Sequence, residues 1–218
     1  MSQLKEFTAT AARPLPVVLL ADVSGSMAAE GKIAALNQSV RDMLATFSSS
    51  DDLRAEIHVA IITFGGEARV HTPLAPAGSV KWTDMIADGG TPMGQAMAMA
   101  ADLIEDRDKI PGRAYRPTVV LISDGQPTDS WQTGLERIAK QGRAQKADRF
   151  ALAIGGDADV EMMRRFLADE KKQVFLAADA RRIKDFFQFV TMTVTARSRS
   201  ANPNDVPQMQ NPFELDRL

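Results

Sequence analysis

Apolar positions along this chain follow two alternating rhythms. Five segments are short, nearly unbroken apolar runs: PVVLLA at 16–21, IHVAIITF at 57–64, TVVLIS at 118–123, FALAIG at 150–155 and QVFLA at 173–177. Their length and their β-branched residues suit strands buried on both faces, as in a parallel sheet. Between them the apolar residues recur at helical spacing. Ile33, Leu36, Val40, Leu44 and Phe47 form one stripe, and Met93, Met97, Ala101 and Ile104 a second. Trp131, Leu135 and Ile138 mark a third, Val160, Met163 and Leu167 a fourth, and Ile183, Phe187, Val190 and Val194 a fifth. Gly65-Gly66 is a tight-turn signal, after which EARVHTPL (67–74) can return antiparallel. Strands alternating with helices predict an α/β fold: a doubly wound, mostly parallel sheet with one short antiparallel edge strand and helices on both faces. Residues 1–13 read as an N-terminal extension and 14–195 as one domain. From about Ala196 the periodicity is lost, and 196–218 read as a mobile tail in which Phe213 and Leu215 could dock on the domain or on a partner.

Composition narrows the function classes. A net charge of −2 over 218 residues gives no field to draw the chain onto nucleic acid or an anionic membrane. The absence of cysteine excludes disulfides, thiolate metal sites and cysteine nucleophiles. The N-terminal MSQLKEFTATAARPLP has no continuous apolar segment, and no run approaches the ~20 residues of a membrane helix. The expected location is therefore cytoplasmic.

The chemistry lies where strands end. VVLLAD stops at Asp22 and VVLISD at Asp124. Ligands of open α/β sheets sit outside the carboxyl ends of the strands, where strand order reverses. If the two strands flank that point, both carboxylates face one crevice, and the glycine-rich ADGGTPMG loop presents Thr91 nearby. Ser24 and Ser26 follow Asp22 at alternate positions. Asp22, Ser24, Ser26, Thr91 and Asp124 offer only oxygen, which suits Mg²⁺ or Mn²⁺ better than zinc or copper. Asp22 alone fits equally well as a turn or helix-cap residue. The five together point to a metal site.

DVSGSM (22–27), GGTPMG (89–94) and SDGQPTD (123–129) resemble the three motifs of the metal-ion-dependent adhesion site (MIDAS) of von Willebrand factor A domains, in the family's order. The resemblance covers about residues 14–195. It implies a doubly wound sheet with one antiparallel strand. It also implies a cation held mainly by Ser24, Ser26 and Thr91, with Asp22 and Asp124 acting directly or through water. A glutamate or aspartate of a partner protein would complete the shell. GKIAALNQSVRDML, HVAIITFGGEARVHTPL and GGTPMGQAM further resemble the TerY-like group of bacterial tellurium-resistance domains. That likeness implies a cytoplasmic stress-response role, with a phosphatase or kinase as associate. The expected protein is an interaction module and not an enzyme.

Other features read as structural. His58 and His71, the methionines of PMGQAMAMA, Asp88 and Asp129, and the charged clusters near 170–182 suit core, loop or solvated-face roles. Trp82 and Trp131 fit packing as well as a place beside the crevice. GSMAAEGKI (25–33) mimics a phosphate loop but has five residues between its glycines, and Ile33 replaces the hydroxyl. A Mg²⁺-dependent phosphohydrolase with Asp22 as nucleophile is the rival reading. It lacks a carboxylate at position 24, and the sequence shows no lysine motif to balance a phosphoryl group.

Overall fold

The computed structural model describes residues 12–50 and 55–205. Strand β1 (Arg13–Asp22) is buried at every position after Arg13, and its alternate residues enter different cores. Leu15, Val17, Leu19 and Ala21 pack on one face, and Val18 and Leu20 on the other. That two-sided burial explains why the run is unbroken rather than alternating. The chain continues through α1 (Lys32–Ser48), β2 (Ala55–Gly65), β3 (Glu67–Pro76), α2 (Met93–Glu105), β4 (Thr118–Ser123), α3 (Trp131–Lys140), β5 (Asp148–Ile154), α4 (Val160–Leu167), β6 (Phe175–Ala177) and α5 (Arg181–Arg199). A 3₁₀ stretch, Gly25–Gly31, joins β1 to α1.

The six strands lie in the order β3-β2-β1-β4-β5-β6. Only β3 runs antiparallel to its neighbour. The predicted architecture is therefore the observed one. Buried residues of α1 and α5 cover one face, and those of α2, α3 and α4 the other. After β1 the chain moves outward to β2 on one side, then returns to place β4 on the other side of β1. Strand order thus reverses between β1 and β4, and the two aspartates end up side by side.

Three boundaries differ from the periodic reading. Strand β1 begins at Arg13, ahead of the apolar run, despite Pro14 and Pro16. The Pro14 carbonyl accepts from Tyr115 N at 2.8 Å, on the side away from β2. Its missing N–H would face that side too, so the ladder to β2 loses nothing. Strand β6 is shorter than its apolar run, Phe175–Ala177 only. Helix α5 runs beyond Ala196 to Arg199, so the helix continues past the point where the periodicity is lost. The cause is Arg197, fully buried and donating to the carbonyls of Pro203 (2.9 Å) and Arg116 (2.7 Å) and to the Thr118 hydroxyl. Polarity hid this helical turn because its inward residue is an arginine. Burial pulls the Arg197 pKa down to about 10, which leaves it charged at neutral pH. Phe213 and Leu215 lie outside the described residues.

Two testable consequences follow from this packing. Helices α2 and α3 touch backbone to backbone, because a Cβ on Gly134 would stand 2.1 Å from the Gly94 carbonyl oxygen. Gly134→Ala should lose about 2 kcal/mol or more in urea unfolding, although alanine is intrinsically the better helix former. A stabilised variant would contradict the packing. Arg197→Met should lose about 2–4 kcal/mol in the same measurement, because two carbonyls and one hydroxyl lose their buried donor.

Candidate metal centre

The site is built at the carboxyl ends of β1 and β4. Asp22 is wholly buried. Its Oδ1 accepts the Ser24 backbone N–H at 2.7 Å, which closes a turn just past the strand. Its Oδ2 accepts the Ser123 hydroxyl from the end of β4. One carboxylate thereby ties the two central strands together. Val23 N extends the ladder to the Phe64 carbonyl at 3.0 Å, and Met27 N returns to the Ser24 carbonyl at 3.0 Å. The turn brings Ser24 Oγ and Ser26 Oγ to 3.0 Å from each other. Ser26 Oγ donates to Asp124 Oδ1 at 2.7 Å.

Thr91 arrives on the loop between β3 and α2. That loop is strapped across the first turn: Asp88 N donates to the Val23 carbonyl at 2.7 Å, Gly25 N to Gly89 O at 2.9 Å, and Gly66 N to Gly90 O at 3.0 Å. Gly89 has φ +74°, and a Cβ there would meet Gly66 Cα at 2.5 Å, so both conformation and contact demand glycine. Thr91 is then fixed against the loop after β4. Its N–H donates to Thr128 Oγ1 and its carbonyl accepts Thr128 N, both at 2.9 Å. Its own Oγ1 lies beside Gly125, 3.8 Å from where a Cβ on that glycine would stand. Asp129, taken from sequence as a loop carboxylate, accepts Gly94 N (3.0 Å) and Gln95 N (2.8 Å) and so caps the start of α2.

The structure brings Asp22, Ser24, Ser26 and Asp124 into one hydrogen-bonded cluster, with the Thr91 hydroxyl beside Gly125. Their chemistry fits a small hard cation. An octahedron with metal–oxygen bonds of ~2.1 Å has adjacent ligands about 3.0 Å apart. The Ser24–Ser26 oxygen separation is 3.0 Å. His58 and His71 have other partners, Glu56 Oε2 at 2.7 Å and the Thr83 carbonyl at 2.9 Å. Trp82 and Trp131 each pack against a core cluster.

Sequence reasoning missed two members. Ser123 reads as a strand residue, and only its contact with Asp22 gives it a role. Lys32 was assigned no place at the site, yet its Nζ lies 2.9 Å from Asp124 Oδ2. A lysine therefore does face the carboxylates. The available signal was the phosphate-loop mimic that ends in Gly31-Lys32.

The buried carboxylate has an energetic consequence. Burial, aided by the charge of Asp124, pushes the Asp22 pKa from its usual 3.8 up to about 6, against the opposing hydrogen bonds of Ser123 and Ser24. The folded state thus holds this proton more tightly than the unfolded chain. Above about pH 6 the charged group opposes folding, and as pH falls through 6 towards 4 the metal-free protein gains stability from it. Asp22→Asn should therefore stabilise the metal-free protein near neutral pH by about 1–3 kcal/mol, with the gain shrinking towards pH 4. Urea unfolding in EDTA across that range checks the sign.

Comparison with known proteins fixes the family. The model for the von Willebrand factor type A domain matches residues 17–189. Human inter-alpha-trypsin inhibitor heavy chain H6 is 26% identical over 205 residues, covering 84% of this chain and 15% of its own length. This chain therefore spans only a small part of that relative. A von Willebrand factor type A protein from Catenulispora acidiphila superposes with a TM-score of 0.64 at 20% identity, over 84% of this chain and 43% of the other. Proximal thread matrix protein 1 of the mussel byssus, in a form with a zinc-occupied MIDAS motif, gives a TM-score of 0.64 at 12% identity, over 85% and 48% of the two chains. Topology, the rim cluster of oxygen donors and the family match agree, and the chain belongs to the von Willebrand factor type A domain family.

Proposed function

We propose that this domain is a metal-dependent protein–protein interaction module. Ser24, Ser26 and Thr91 would hold Mg²⁺ or Mn²⁺ through their hydroxyls, and Asp22 and Asp124 directly or through water. The cation would supply an electrophilic position for a glutamate or aspartate carboxylate of a partner protein. The observation that carries this reading is the 3.0 Å pair of serine hydroxyls set between two buried carboxylates at the reversal of strand order. The zinc-occupied MIDAS motif of the mussel protein, which shares this fold, supports a divalent cation as the ligand.

Finer assignments rest on the sequence likeness to the TerY-like group. We place the domain in a cytoplasmic tellurium-resistance or stress-response system, with a phosphatase or kinase as candidate partner. No helix among the described residues is long and apolar enough to cross a membrane, which is compatible with that setting.

The rival reading, a phosphohydrolase with Asp22 as nucleophile, gains the lysine it seemed to lack. Burial of Asp22 weighs against it. An attacking carboxylate needs an oxygen open to the substrate, and both oxygens of Asp22 are engaged inside the protein. Generic phosphate esters should accordingly show no turnover that depends on Asp22.

Calorimetric titration of metal-stripped protein tests the main reading. Saturable Mg²⁺ or Mn²⁺ binding is expected, and Asp22→Ala combined with Ser24→Ala should abolish it while the circular dichroism spectrum is retained. Undiminished binding in the double variant would refute the assignment.

A further inference from the structure

Lys32 is a charged group at the rim to which the adhesion reading gives no role. Its ammonium sits 2.9 Å from Asp124 Oδ2. The Asp124 side chain is fully covered and that of Lys32 is only 14% exposed, so this is an enclosed pair rather than a loose surface contact. Asp124 is divided between two donors. Oδ1 takes the Ser26 hydroxyl at 2.7 Å and Oδ2 takes Lys32.

The backbone leading into Lys32 turns sharply. At the end of the 3₁₀ stretch, just before α1, Glu30 (φ 54°) and Gly31 (φ 72°) are consecutive left-handed residues. Such a conformation is unfavourable for a side chain like that of Glu30 and persists only where its surroundings enforce it. The reversal starts α1 at Lys32 with its side chain turned back onto the loop after β4. A helix that only had to cover the sheet could begin without it.

We propose that Lys32 is a built-in counter-ion of Asp124 that weakens the binding of a lone divalent cation, leaving charge at the site for an external carboxylate to neutralise. This inference rests on the metal-centre reading. Two carboxylates, Asp22 and Asp124, would bring a dication close to neutrality on their own. With the Lys32 ammonium held on one of them, the cluster carries a single net negative charge. A bound dication then leaves one net positive charge, enclosed where water screens it poorly. An outside carboxylate supplies the missing charge. Ser26 bonds the other oxygen of Asp124, Oδ1, so Lys32 offsets charge without touching the serine pair.

A purely structural clamp predicts the opposite result from a counter-ion. If Lys32 served only to position Asp124, removing it would weaken cation binding or leave it unchanged. The test is titration of the EDTA-stripped full chain with Mn²⁺ alone, following free Mn²⁺ by electron paramagnetic resonance. Lys32→Met and Lys32→Gln should each bind Mn²⁺ about tenfold or more tightly than the wild type. Lys32→Arg, which keeps the charge, should stay near the wild-type affinity. Thermal melts in EDTA confirm that each variant is folded, and the two neutral variants guard against misfolding of either one. Equal or weaker Mn²⁺ binding by the neutral variants would overturn the counter-ion role and leave the metal centre standing. No Mn²⁺ uptake by the wild type or any variant would overturn both.

Discussion

The carboxylate of Asp22 is the constraint on which the site depends. It lies at the end of the central strand and is closed off from solvent, with one oxygen on the Ser24 amide and the other on the Ser123 hydroxyl. A buried charge is tolerated only when donors surround it. Here those donors come from the turn after β1 and from the end of β4. The need to satisfy one aspartate therefore fixes the spacing of two strand ends and the path of the chain beyond them. The serine pair follows from that path, as does the approach of Asp124 to Ser26.

Around this point the loops show a division of labour. The 88–90 segment is held by backbone bonds to Val23, Gly25 and Gly66, and needs glycine where backbones nearly touch. Thr128 grips Thr91 from both backbone groups and leaves the Thr91 hydroxyl beside Gly125. Asp129 spends its charge on the first amides of α2. Positioning of Thr91 therefore falls to groups outside the oxygen cluster, a property expected of a preorganised binding site. At the opposite end of the sheet another buried charge, Arg197, joins the last helix to β4 and to the segment before it. That contact lies past the point where the helical periodicity is lost.

The charge arrangement links structure to the proposed role. Hydroxyl donors leave a cation's charge intact, and a carboxylate already paired with Lys32 offsets little of it. On the proposed reading, a site made this way would favour an anionic ligand from outside over self-sufficiency. The burial of Asp22 fits the same logic, since a carboxylate with both oxygens committed serves to orient donors rather than to attack a substrate.

Sequence alone determined the order of elements and the two-faced burial of the strands, and it singled out the oxygen-bearing residues at 22, 24, 26, 91 and 124. These are legible because they are local: an unbroken apolar run, a helical stripe, a polar turn immediately after a strand, and a glycine-rich loop just before a helix. Tertiary structure decided the contacts that join distant segments. Ser123 meets Asp22 only across the sheet, and Lys32 reaches Asp124 only past the left-handed Glu30 and Gly31. Arg197 reads as a polar residue in a failing helix until Pro203, Thr118 and Arg116 are placed around it. In each case the side chain's own polarity carries no information about its partner, and the partner lies across the fold, where hydrophobic periodicity does not reach.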